Sequence, residues 1–293
     1  MGESPGGPTS LIQLGNCSVS RFLVGHNPPC GNSHISGELN DEMTEYFTTE
    51  NVLKLYRRAE ELGIRTLLIR GDYRMLNLVE LYRREGGAMN VVAQTASEMH
   101  DVFANIRILA AAGADAVYHH GTQTDKFWRE KRIDDCADYL KCMRDAGVSV
   151  GLATHVPEVI EHAEENAWDL DFYLACLYNI SRTPRESLLV SGDPGAYARE
   201  TYLEEDRLRM LATIRATPRP VLAFKILAAG RLCRTQESVR DAFRDVYAGI
   251  KPTDGVIVGL FPKHFDQVKA DLEYAEEACA AAAAENPPAD THA

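Results

Sequence analysis

The chain lacks any concentration of positive charge. Its 31 Lys and Arg stand against 43 Asp and Glu, a formal net charge of −12, and no basic run exceeds two residues. Nucleic-acid phosphates are held by clustered Lys and Arg, so no nucleic-acid partner is expected. Long apolar runs are also missing. The best candidate, 221–230, is interrupted by Lys225, whereas a spanning helix needs about 20 apolar residues. No membrane partner is expected either. The opening MGESPGGPTS has neither the basic start nor the apolar stretch of a secretion signal. The seven cysteines are scattered and form no CxxC pair. That pattern excludes a disulfide framework and a zinc knuckle and points to a reduced, cytoplasmic protein.

What is present is a rhythm. With 45% hydrophobic and 25% charged residues, the composition is that of a globular chain. Short apolar runs alternate with amphipathic stretches. The expected strands are 21–25, 66–70, 90–94, 116–120, 149–154, 171–178, 221–227 and 255–260. Their β-branched, two-sided apolar character suits parallel strands buried on both faces. Helices are expected at 49–62, 77–84, 98–112, 133–146, 157–166, 203–216, 236–248 and 264–284. Gly63, Gly113 and Gly147 close three of them, where a left-handed residue is wanted. Eight successive βα units predict a single (β/α)8 TIM barrel over 11–284, with a loose start at 1–10 and a loose tail at 285–293. An open doubly wound sheet is disfavoured, because no GxGxxG follows the first strand.

Barrel enzymes place their sites at the carboxyl ends of the strands, and here those ends are polar. The first strand runs into His26, Asn27 and then His34. The second ends Arg70-Gly71-Asp72, the third Gln94-Thr95, the fourth His119-His120, the fifth Thr154-His155 and the sixth Tyr178-Asn179. The eighth leads into Lys263-His264. Alternation sends one of His119 and His120 inward and the other towards the helices, without saying which. The seventh strand carries Lys225 in an apolar run. Val221, Ala223 and Lys225 share one face, and the larger apolar set Leu222, Phe224 and Ile226 is expected against the helices, which sends Lys225 into the barrel. A buried ammonium there suits a Schiff-base amine, a general acid–base or an oxyanion anchor. Gly230 and Arg231, in LAAGR, together with Gly259 suggest an anion or cofactor cradle. Trp128 and Trp168 are expected to pack helices.

The segments GVSVGLATHVPEVIEHAEENAWDLDFYLACLYN, VLAFKILAAGRL and DGVIVGLFPKHFDQVKADLEYAEE resemble the aldo-keto reductase family, best over 147–277. The resemblance implies the barrel fold and, in its ordinary form, an Asp-Tyr-Lys-His set acting with NADPH. Asp72 matches the Asp, and His120 suits the His. The expected Tyr is Asn77, the expected Lys is Gln94 or Thr95, and the Ser-Asn pair at the fifth strand is Thr154-His155. The chain thus looks like a divergent bacterial branch with a degraded tetrad.

Two roles follow for these residues. Asp72, His120, His155 and Lys225 are the expected catalytic groups. Arg70, Gln94, His119, Tyr178, Asn179 and Lys263 are expected to contact substrate. The leading expectation is a non-redox lyase, isomerase or hydrolase acting on a small polar carbonyl or hydroxyl compound. Either a divalent Zn, Mn or Fe held by His26, His120, His155 and Asp72, or metal-free acid–base work by the same residues, would serve. The alternatives are an NADPH reductase using Tyr73, Tyr118 or Tyr178 as proton donor, a Schiff-base aldolase using Lys225, and an inactive binding subunit. A homo-oligomer is compatible with all of them.

Overall fold

The computed structural model describes residues 6–96, 99, 101–183 and 200–285. The first five residues, Glu98 and His100 of the expected helix 98–112, and the tail beyond 285 lie outside them. Eight parallel strands close into a barrel: β3 (Phe22–Gly25), β4 (Thr66–Arg70), β5 (Asn90–Gln94), β6 (Ala116–His119), β7 (Ser149–Thr154), β8 (Phe172–Cys176), β9 (Val221–Phe224) and β10 (Gly255–Gly259), with β10 pairing back to β3. This is a single (β/α)8 TIM barrel, as the alternation of elements predicts. At the amino ends, Asp115, Asp171 and Asp254 each accept a backbone N–H from the first or second residue of a neighbouring strand, from Val91, Val150 and Val221. These carboxylates satisfy donors that the sheet leaves unpaired.

The helices are α1 (Gly37–Tyr46), α2 (Thr49–Glu61), α3 (Tyr73–Arg84), α4 (Val102–Ala111), α5 (Gly121–Arg129), α6 (Cys136–Asp145), α7 (Pro157–Glu165), α8 (Glu204–Ala216), α9 (Gln236–Gly249) and α10 (Gln267–Glu285). Their starts carry caps of the expected chemistry. Thr48, Asp72 and Asp101 accept from the N–H three residues on, and Thr235 and Ser238 form a capping box. Helices α1 and α5 occupy stretches that the sequence pattern leaves as loop.

Two apolar layers hold the barrel. One lies between strands and helices; the other fills the interior. A hairpin, β1 (Leu11–Leu14) paired with β2 (Cys17–Ser20), adds Ile12, Leu14 and Val19 to the interior layer, against Leu23, Leu68, Val92, Phe172 and Leu222. Residues 6–10 lead into it and are tied down: Phe22 N–H donates to the Pro8 carbonyl and Arg21 N–H to that of Ser10. Tight packing leaves no room at Gly151, where a Cβ would stand 2.5 Å from Phe172 Cζ and 2.8 Å from Tyr118 Cβ. Gly151→Ala is therefore expected to cost about 1–3 kcal/mol in urea unfolding. Full wild-type stability would show that the interior is looser than drawn.

One expectation about facing is corrected. Leu222 belongs to the interior layer, while Val221 and Ala223 pack against the helices. The inward face of β9 is the opposite of the one expected. In a strand buried on both sides, neither face is polar, so side-chain size is a weak guide.

Candidate functional site

The carboxyl ends of the strands surround a cavity of about 470 Å³, a size suited to a small molecule. Each strand delivers its group by position. His26, His120, His155 and Lys225 are the first residues after β3, β6, β7 and β9, and Arg70 and Gln94 are the last of β4 and β5. All six line the cavity, as do His34, Tyr118 and Gly230.

His155 is held by a carboxylate. Asp125, fully buried on α5, accepts its Nδ1–H at 2.6 Å and its backbone N–H at 3.2 Å. Thr154 Oγ1 and Ser181 Oγ each donate to the same carboxylate at 2.6 Å. Burial alone would raise the Asp125 pKa. His155, Ser181 and Thr154 outweigh it and hold the group below the usual carboxylate range. An ionised Asp125 fixes the proton of His155 on Nδ1. Nε2, on the far edge of the ring, is then the basic nitrogen of a cavity-lining side chain.

β3 and β7 stand four strands apart in either direction round the barrel, so His26 faces His155 across the mouth. His26 is 9% exposed, and its Nδ1 has no hydrogen-bond partner among the described residues. Burial, reinforced by the charges of Arg70 and Lys225, pushes its pKa down to about 3. It is neutral at physiological pH beside two cations. Arg70 Nη1 donates to Asp72 at 2.9 Å. Lys225 reaches the cavity by a backbone turn: its φ of 59° lies in the left-handed region and breaks the alternation of β9. His34, Ala228 and Ala229 share that conformation, at 59°, 47° and 51°. Such backbone is disfavoured for residues with a Cβ, and here it gathers around one opening. His34 is tied by Nδ1 to Glu200 at 2.8 Å, and Tyr202 Oη donates to the same carboxylate.

The structure chooses between the paired histidines. His120 lines the cavity. His119 points away from it, bonds Thr124 Oγ1 at 2.8 Å and stacks on Tyr139 and Phe127. Burial lowers its pKa to about 4. His119 is a packing residue, because successive strand residues face opposite ways.

Five more expected positions lie away from the cavity lining. Asp72 caps α3 through the Met75 N–H and stands behind Arg70 as its ion-pair partner. Tyr178 is buried against Tyr202, and the Asn179 N–H donates to Asp206. Lys263 pairs with Glu42 at 2.8 Å on the outside of α1. Arg231, expected beside Gly230 at a cofactor, lies over the Tyr202 ring at 3.9 Å and donates to the carbonyls of His34 and Ala228.

The expected metal ligands do not converge. Among the described residues no three His, Cys, Asp or Glu side chains form a group fit for a metal ion. Asp72 is turned to its helix and to Arg70, and His155 Nδ1 to Asp125. The reductase set does not assemble either. Asn77, at the tyrosine position, is exposed on α3, and Tyr73 is 60% exposed. Tyr118 reaches the cavity and donates to Gln94 Oε1 at 3.2 Å, but burial drives its pKa well up, so it is a weak acid. Among the described residues these side chains assemble neither the expected metal group nor the Asp-Tyr-Lys-His set.

Sequence reasoning missed Asp125 and Glu200. Asp125 sits five residues after His120, on a helix whose existence was not anticipated. Recognising a helix that opens straight after the fourth barrel strand would have placed it there.

No protein-family model matches the chain, and no curated protein matches it. Solved structures do. Glycerol dehydrogenase from Gluconobacter oxydans aligns over 97% of this chain and 98% of its own, at 14% identity and a TM-score of 0.53. Phospho-2-dehydro-3-deoxyheptonate aldolase from Thermotoga maritima aligns over 93% and 72%, at 16% and 0.49. 3-Dehydroquinate dehydratase from Geobacillus kaustophilus aligns over 92% and 97%, at 14% and 0.49. At such identities the likeness shows the barrel fold alone. Among the described residues no helix is long and apolar enough to cross a membrane.

Proposed function

We propose that the protein is a non-redox enzyme, an isomerase or lyase, that moves a proton next to a carbonyl in a small anionic substrate. The observation that carries this reading is the His155–Asp125 pair in a cavity that Arg70 and Lys225 also line, both close enough to His26 to act on its charge. An anionic carboxylate or phosphate would sit on these two cations, where His26 adds a neutral ring nitrogen. His155 Nε2 would take the proton from the carbon next to the carbonyl. The electron pair would move onto the carbonyl oxygen, and Lys225 would hold the resulting enolate. Where the deprotonated carbon carries a hydroxyl, that hydroxyl's proton passes to the former carbonyl oxygen and the carbon proton returns to the former carbonyl carbon, which completes an isomerisation. Departure of a β-leaving group completes an elimination. His120 lines the same cavity and is placed to assist the proton's return.

The test is solvent exchange. Small keto and hydroxy acids incubated in D₂O with the protein are expected to take up deuterium at the carbon next to the carbonyl, read by proton NMR. His155→Ala should abolish the uptake, and Lys225→Met should raise the half-saturating substrate concentration by at least about tenfold. Uptake that survives His155→Ala would overturn the reading. Lys225 also suits a Schiff base, since it is half-buried beside Phe224 and Ile226 in the same cavity. Borohydride added with pyruvate separates the two: a covalent adduct lost in Lys225→Met would replace the acid–base reading with an aldolase.

A further inference from the structure

The cavity continues past Lys225 between the loop after β9 and the start of α10. This arm contrasts with the part that Arg70 and Lys225 line. Leu227, Val239, Phe261 and Phe265 make it apolar, and Asp271 stands among them. Asp271 is 2% exposed. The single hydrogen bond to its carboxyl group comes from Gln267 Nε2 at 3.0 Å, on Oδ2. Gln267 is itself fixed, because its Oε1 accepts the Phe261 N–H at 2.7 Å. The other oxygen, Oδ1, has no hydrogen bond among the described residues. A carboxyl group buried in apolar surroundings is costly unless its oxygens find donors. Among the described residues no Arg or Lys lines the arm.

We propose that this arm is a second binding subsite, in which Asp271 receives a hydrogen-bond-donating end group of the substrate, a hydroxyl or a primary amine. This rests on the reading that an anionic end lies at Arg70 and Lys225. The substrate class becomes an elongated one, with an anion at one end, a short apolar body and a donor at the other. Burial raises the Asp271 pKa to about 7. An ammonium in the arm would favour its ionised form, which accepts through both oxygens.

The experiment is calorimetric binding of chain-length series of ω-amino, ω-hydroxy and unsubstituted carboxylates, with the matching alkylamines, to the whole protein. At one chain length the amino or hydroxy acid is expected to bind about tenfold tighter than the plain acid. Asp271→Leu should erase that preference. Asp271→Asn, which keeps the shape and one acceptor, should keep the hydroxy preference and lose the amino one, so a folding defect in the leucine variant does not decide the matter. Equal binding of all three acids at every length, or a preference that survives Asp271→Leu, overturns the subsite. The anion site is judged separately. If no carboxylate binds but an alkylamine does so through Asp271, the subsite stands and the anionic reading falls. If neither class binds, both fall.

Discussion

Asp125→Asn is expected to leave the barrel folded and to turn the proton on His155 over. The native carboxylate only accepts, and it receives donors from His155, Thr154 and Ser181. Asparagine has the same outline but presents an amide N–H. Facing that donor, the His155 ring must offer a bare Nδ1, which moves its proton to Nε2 and replaces the basic nitrogen at the cavity with a donor. Imidazole ¹⁵N NMR should show the exchange of tautomers directly. Deuterium uptake by substrate should fall by a factor on the order of 10⁴, the loss seen when the same change is made in a serine-protease triad. Asp125→Ala is a different experiment. It strands several buried donors and is expected to destabilise by about 1–3 kcal/mol for each one left without a partner. If the asparagine variant keeps a bare Nε2 and full exchange, Asp125 does not set the tautomer.

The second large effect concerns acid. Burial holds His26 at about 3 and His119 at about 4, against roughly 6.5 in an unfolded chain. As the pH falls below that value, the unfolded chain takes up protons that the folded one refuses, so each group withdraws stability between pH 6.5 and 4. The loss is on the order of 3 kcal/mol apiece. Asp271 works the other way. Its folded pKa of about 7 lies above the unfolded value, so its contribution is full at low pH and is lost as the pH rises through 7, a change on the order of 4 kcal/mol. The native protein is expected to show a shallow acid limb, because these contributions offset one another. Asp271→Asn removes the offset. It should lose several kcal/mol more than the native protein between pH 7 and 4 in urea unfolding, and should be the relatively more stable of the two at pH 8. Parallel stability curves would show that Asp271 ionises as it does in water.

Most of the barrel is written locally. Each of its strands lies within a residue or two of an apolar run, because parallel strands covered on both sides need continuous Val, Ile and Leu. The hairpin of β1 and β2 is too short and too polar on one side to announce itself before it packs; Leu11 is exposed while Leu14 is buried. The site was legible by position and not by partnership. His26, Arg70, Gln94, His120, His155 and Lys225 stand at strand ends, and counting along the chain finds them. Pairing is a matter of three dimensions. Nothing in the spacing of Asp125 and His155, 30 residues apart, says that they touch. Asp72 misled because an acid two residues beyond a strand serves a helix cap as well as a reaction. Lys225 was placed in the cavity through the wrong face of its strand. A left-handed turn, which no side-chain pattern encodes, brings it there.

The hairpin at the amino end also governs traffic. With Ile12, Leu14 and Val19 seated in the bore, the barrel is a flask with a stopper fixed in its base, and among the described residues arriving and departing molecules share one neck. A reaction that splits its substrate must therefore release its fragments one behind the other through the loops around His34 and Lys225. The fragment nearer that neck leaves first, and the deeper one holds the site closed to the next substrate until it follows.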